Sequence, residues 1–140
     1  MKRFILDASV TMFWCFEDQQ TDFSEAVLTA IGRGAAPAAP PIWMYEVINV
    51  LAMARKKKLI DQATALTFWN KVSKLVEVVE IQGKSTAHEI LDVSERYHLT
   101  AYDAAYLELA LREGLPLATL DKDLKKAALA AGVHLFAGVI

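Results

Sequence analysis

Arg3-Phe4-Ile5-Leu6-Asp7-Ala8-Ser9 decides the fold. The run from Arg3 to Leu6 is short and mostly apolar, and Asp7 stops it, which predicts a buried strand. Ser9 to Phe16 then reads as a helical segment with Ser9 as its N-cap. The same pattern returns late in the chain. Leu117 to Leu120 is a strand that ends at Asp121, and a helix follows from Lys122 to Ala131, stopped by Gly132. Two strands that each end in an acid and turn into a helix fit a parallel sheet whose carboxyl edge carries the polar residues.

The intervening chain supplies the other layers. Thr21 caps a helix to about Arg33, with Gly34 as its stop. Ala35 to Ala39 is small and broken by proline, which suits an edge strand. Pro40-Pro41 opens a helix whose apolar face is Trp43, Val47, Val50, Leu51 and Ala54, and which ends in Arg55-Lys56-Lys57-Lys58. Asp61 caps the next helix, to about Leu75. Val76 to Ile81 is a strand or a helix end. Thr86-Ala87-His88-Glu89 reads as a capping box for a helix ending near Tyr97. Thr100 caps another helix, stopped by Gly114, and Val133 to Phe136 forms a last strand. Strands alternating with helices give an α/β fold around a small parallel sheet.

The chain has 140 residues, which suits one domain over residues 1–140. Its 54% hydrophobic share supports a core and excludes disorder. A net charge of −2 argues against nucleic-acid binding through a globally basic surface, although a local basic patch is compatible with it. One cysteine, Cys15, excludes an internal disulfide and a zinc knuckle. The longest uncharged stretch, Ala127 to Ile140, is too short to span a bilayer, so the expectation is a soluble cytoplasmic protein.

Four acids stand out. On a helical wheel Asp103 shares a side with Tyr106, Leu107, Ala110 and Leu111, while Glu108 and Arg112 fall opposite. Capping by Thr100-Ala101-Tyr102-Asp103 explains an acid at that position but not its inward direction. Glu46 borders the apolar face of the helix after Pro41, and Asn49 lies one turn along the same edge, as a hydrogen-bonding support or as surface. Asp7 and Asp121 stand at strand ends, where capping is the ordinary use and a ligand site the alternative. Asp123, two residues past Asp121, is able to share its role. Four acids in one cleft raise each other's pKa, and a hard divalent cation cancels that repulsion. The chemistry that follows is metal-assisted phosphoryl transfer. His88, His98 and His134 are scattered and fit surface or packing roles.

At these residues the sequence resembles the PIN domains, and within them the VapC-type toxin ribonucleases of toxin–antitoxin pairs. The carrying segments are Ile5-Leu6-Asp7-Ala8-Ser9, Glu46-Val47-Ile48-Asn49-Val50-Leu51, Thr100-Ala101-Tyr102-Asp103-Ala104-Ala105-Tyr106 and Leu117-Ala118-Thr119-Leu120-Asp121-Lys122-Asp123-Leu124. With the Gly132-Val133 close, they keep the family's order across nearly the whole chain. The resemblance implies a three-layer α/β/α domain. It implies Mg²⁺ or Mn²⁺ held by Asp7, Glu46, Asp103 and Asp121, with Ser9 and Thr119 assisting through their hydroxyls. It further implies RNA cleavage by metal-activated water, a homodimer and a cognate VapB-type antitoxin.

Lys122, Lys125 and Lys126 share a helix, and Lys122, beside Asp121, is a candidate for steering phosphate, whereas Arg55 to Lys58 are explained by the helix dipole. Phe13, Trp14 and Phe16 are able to stack bases, but a buried aromatic cluster or a dimer contact is the more common use, and Trp43, Trp69 and Tyr102 have the same default. The rival from another class is a catalytically silent PIN-like module that binds RNA or protein. A phosphoacceptor receiver domain fits less well, because Leu6 precedes a lone Asp7 where such domains carry an acid pair.

Overall fold

The computed structural model describes residues 2–138. Met1, Val139 and Ile140, the last two closing the uncharged stretch from Ala127, lie outside the described residues. Four parallel strands form one sheet in the order β3-β2-β1-β4: β1 (Arg3–Leu6), β2 (Ala36–Ala39), β3 (Glu77–Val78) and β4 (Leu117–Ala118). Phe4, Ile5 and Leu6 of β1 are fully buried, as a strand covered on both faces requires.

Among the described residues, seven α-helices connect and cover the sheet: α1 (Ala8–Thr11), α2 (Asp22–Gly32), α3 (Ile42–Lys56), α4 (Gln62–Leu75), α5 (Lys84–Tyr97), α6 (Ala101–Glu113) and α7 (Lys122–Ala130). The steps from β1 to β2 to β3 move one way across the sheet, and the step from β3 to β4 moves back past both. Right-handed crossovers therefore place α1–α4 on one face and α5–α6 on the other. The α6 helix packs on β1 and β4, and α5 and α7 pack against α6. The result is a three-layer α/β/α sandwich. Its switch point lies between β1 and β4, where the chain leaves toward opposite faces.

Most elements follow the sequence reading, and the departures have physical causes. The strand Ala36–Ala39 is interior, not an edge. Pro37 is tolerated because it precedes the first pair with β3, Ala38 with Glu77, so no ladder bond is lost on that side. The first helix begins at Ala8, with Asp7 rather than Ser9 at the N-cap position, and passes into a 3-10 turn at Met12–Trp14. The α5 helix starts at Lys84, two residues before the expected cap. The Thr86 hydroxyl instead accepts the Gln82 N–H at 3.2 Å, and Gly83, at φ 79°, occupies the cap position. The late strand stops at Ala118 rather than Leu120. Side-chain hydroxyls take two of the backbone N–H groups that follow: Leu120 donates to Ser9 Oγ and Asp121 to Thr119 Oγ1, both at 3.0 Å. The expected strand Val133–Phe136 shrinks to one parallel bridge between Leu117 and Leu135. Its Phe136 ring still stacks on Phe4, with centroids 4.0 Å apart.

Glu108 is the clearest reversal. Placed on the polar side of α6 by the helical wheel, it is only 6% exposed, whereas Leu111 on the apolar side is 43% exposed. The sheet covers one side of α6 and α5 another, so a single apolar stripe does not describe it. Arg112 compensates the buried carboxylate through two bonds, Nε to Oε2 at 2.9 Å and Nη2 to Oε1 at 3.1 Å. Arg112→Met leaves that charge unpaired. We expect it to destabilise the fold by about 3 kcal/mol in urea titration, while Glu108→Leu with Arg112→Met recovers most of the loss.

Candidate active site

The end of β1 and the start of α1 place Asp7 at the carboxyl edge of the sheet, 4% exposed. Its side chain makes no cap bond to α1. It is held instead by two hydroxyls that both donate to Oδ2, Ser9 Oγ and Thr119 Oγ1, each at 2.7 Å. Because the same two hydroxyls accept the backbone N–H groups of Leu120 and Asp121, their protons are committed to Asp7. No side chain among the described residues donates to Oδ1. Burial pushes the Asp7 carboxyl above its ordinary value. The Thr119 and Ser9 bonds pull it down, and the charge of Asp121 pushes it up again.

The other three acids come from helix starts around this point. Asp103 sits in the first turn of α6, where its backbone N–H donates to the Thr100 hydroxyl at 3.1 Å. Its carboxylate, half-buried, is pushed up to about 6 by burial first and then by the charges of Asp121, Asp7 and Asp123. Glu46 is half-buried on α3. Burial raises it, the bond from Tyr106 lowers it, and the charges of Asp7 and Asp103 raise it. Asp121 caps α7, its Oδ1 accepting the Leu124 N–H at 2.9 Å. Asp7 and Asp103 are thus central to the group, since each is repelled by Asp121 and each repels Glu46.

A family model, described as PIN domain, matches residues 4–129. The chain belongs to the PIN domain family. Among solved structures, it is similar to PAE2754 from Pyrobaculum aerophilum, with TM-score 0.70 and 25% identity over 90% of this chain and 79% of that one. It also shares its fold with VapBC2 from Rickettsia felis, a structure bound to a DNA fragment from their promoter. There the TM-score is 0.68 at 14% identity, over 96% of this chain and 97% of that one. A toxin-antitoxin complex from Klebsiella pneumoniae matches with TM-score 0.60 and 20% identity, over 86% of this chain and 88% of that one. No curated protein matches the sequence.

In this PIN domain the remaining expected site residues divide. Asp123 is exposed in the first turn of α7, and its charge reaches Asp103. Asn49 is exposed and makes no hydrogen bond to Glu46 among the described residues. Lys122, next to Asp121, is exposed, as are Lys126, His88, His98 and His134. Trp14 is not a free stacking platform, since its Nε1 donates to the Ser24 carbonyl at 2.8 Å. Trp43 is buried as expected, with Nε1 donating to the Thr11 hydroxyl at 3.0 Å, but Tyr102 is 62% exposed rather than in the core.

Sequence reasoning missed the polar part of Tyr106. The residue is fully buried, and its hydroxyl donates to Glu46 Oε1 at 2.6 Å and accepts the Ala8 N–H at 3.4 Å. Burial, then the charges of Asp7 and Glu46, push the phenol up, so it keeps the proton that it donates. A signal was available: a tyrosine one turn after Asp103 on an apolar stripe must find a partner for its hydroxyl.

Proposed function

We propose that this PIN domain is a metal-dependent endoribonuclease of the VapC type, the toxin of a cytoplasmic toxin–antitoxin pair. Supporting this is one observation above the rest: Asp103, half-buried at the sheet's switch point, has its carboxyl pushed up to about 6 by burial first and then by the charges of Asp121, Asp7 and Asp123, which come from distant stretches. Nothing in the fold itself benefits from that repulsion. Among the described residues, no three His, Cys, Asp or Glu side chains stand close enough to hold one ion directly. The donor set nonetheless fits Mg²⁺ or Mn²⁺, which take oxygen ligands and retain several waters, so some carboxylates act through water.

Asp7, Glu46, Asp103 and Asp121 would hold the ion, with Asp7 Oδ1 the oxygen that neither the Ser9 nor the Thr119 hydroxyl takes. Bound there, the ion supplies charge that polarises a phosphate and acidifies water. The protein's own contribution is placement. Ser9 and Thr119 fix the Asp7 rotamer, Asp121 is anchored by its cap bond, and Asp123 adds negative charge at the cleft edge. Lys122 would steer RNA phosphate toward it. We assign a homodimer and a VapB-type antitoxin as partners, the latter supported by the toxin-antitoxin complex among the similar structures. No helix among the described residues is long and apolar enough to cross a membrane.

A silent binding module is the second reading, favoured by the spacing of the carboxylates. One experiment separates the two. The purified chain, free of antitoxin, is incubated with unstructured RNA and Mg²⁺ or Mn²⁺, then with EDTA. The nuclease cuts, stops on chelation and resumes on metal addition, and millimolar Mg²⁺ raises its melting temperature by mass action, through a stability gain of up to about 2.7 kcal/mol at a hundredfold excess over Kd. RNA retained uncut with either metal, together with an unmoved melting temperature, leaves the silent module.

A further inference from the structure

We infer that Tyr106 is a positioning residue for the metal-binding acids, acting through Glu46. The inference rests on the metal-dependent reading above. Its hydroxyl joins parts of the cleft that the chain brings in separately. It donates to Glu46 Oε1 of α3 at 2.6 Å, and it accepts the N–H of Ala8, the residue after Asp7, at 3.4 Å. The ring itself belongs to α6, one turn beyond Asp103. One side chain therefore ties together the elements that carry three of the four acids.

Among the described residues Glu46 has no other side-chain hydrogen bond. Asp7 is fixed by two hydroxyls and Asp121 by its cap bond, whereas the bond from Tyr106 is the one side-chain bond to Glu46 among the described residues. A half-buried glutamate with free rotamers would spend most of its time turned away from its repelling neighbours Asp7 and Asp103. The Tyr106 ring, held in the core, makes that turn costly. Outer partners that orient metal-binding carboxylates typically change affinity or activity by about 10- to 100-fold.

The test uses Tyr106→Phe, Glu46→Gln and the double variant, each read for RNA cleavage and for Mn²⁺ affinity by calorimetry without RNA. Phenylalanine keeps the buried ring. Tyr106→Phe is expected to weaken Mn²⁺ binding and cleavage by about 10- to 100-fold, with excess Mn²⁺ restoring most of the cleavage. The double variant is expected to be no worse than Glu46→Gln alone. If Tyr106→Phe fails to fold, the double variant still decides, because it removes the hydroxyl together with the glutamate charge that would otherwise lose its donor. Equality with Glu46→Gln supports the assignment, and a further loss overturns it. Wild-type Mn²⁺ affinity in Tyr106→Phe, with Glu46→Gln impaired, overturns the positioning role alone. Wild-type behaviour of Glu46→Gln removes Glu46 from the metal site and the role of Tyr106 with it.

Discussion

Asp103→Asn is expected to reduce RNA cleavage by about 10²- to 10³-fold while raising the melting temperature of the metal-free protein. The two effects have one cause. Asp103 is half-buried among Asp121, Asp7 and Asp123 and is pushed up to about 6. A carboxyl whose folded value is raised binds more protons in the folded state between its unfolded value, about 4, and its folded one. Stability therefore falls as pH rises through that window. The destabilisation is absent below about pH 4 and complete above the folded value. Solvent reaches the group, so the full shift does not convert into stability. A gain on the order of 1 kcal/mol remains for the asparagine at pH 7.5, or roughly 2–4 °C. Melting curves at pH 4 and pH 7.5 without metal check it: the gain appears only at the higher pH. A variant that melts lower at pH 7.5 would show that the carboxylate supports the fold rather than straining it.

Asp7 is expected to give a comparable loss of cleavage, about 10³-fold, with a different stability signature. Both hydroxyls give their single proton to Oδ2 while accepting the Leu120 and Asp121 N–H groups. Asp7→Asn keeps an oxygen for them. It removes the charge and leaves the network intact, so folding changes little and Mn²⁺ binding is lost. Asp7→Ala removes the acceptor for two committed donors, at about 1–3 kcal/mol for each. Urea unfolding of both variants, beside the cleavage assay, separates loss of chemistry from loss of structure. Equal stability of the two would mean that the hydroxyls find other partners easily.

The parts of the fold legible in the sequence are those set by local signals. Thr21, Asp61, Thr100 and Asp121 each cap the helix expected of them, because the capping bond is made within three residues. The ends of β4 and the start of α1 were misread for the opposite reason. Ser9 and Thr119 are far apart in the chain but close in space, and their hydroxyls decide where the backbone leaves the ladder. The interior place of β2 was hidden by Pro37, whose cost depends on where β3 begins to pair. At the site, Asp7 was visible because it breaks an apolar run. Asp103 was visible because it heads one. Tyr106 and Glu108 looked ordinary, since what fixes them lies on other elements or on the second covered side of α6.

The place of β1 between β2 and β4 also sets an order of events on the ribosome. Asp7 emerges first and finds its β2 neighbour early, yet the Thr119 hydroxyl that locks it comes 112 residues later. Until that last stretch clears the exit tunnel, a nascent chain carries the acids without the frame that aims them. Under the ribonuclease reading proposed above, the chain is thereby kept harmless to the RNA beside it through most of its own synthesis.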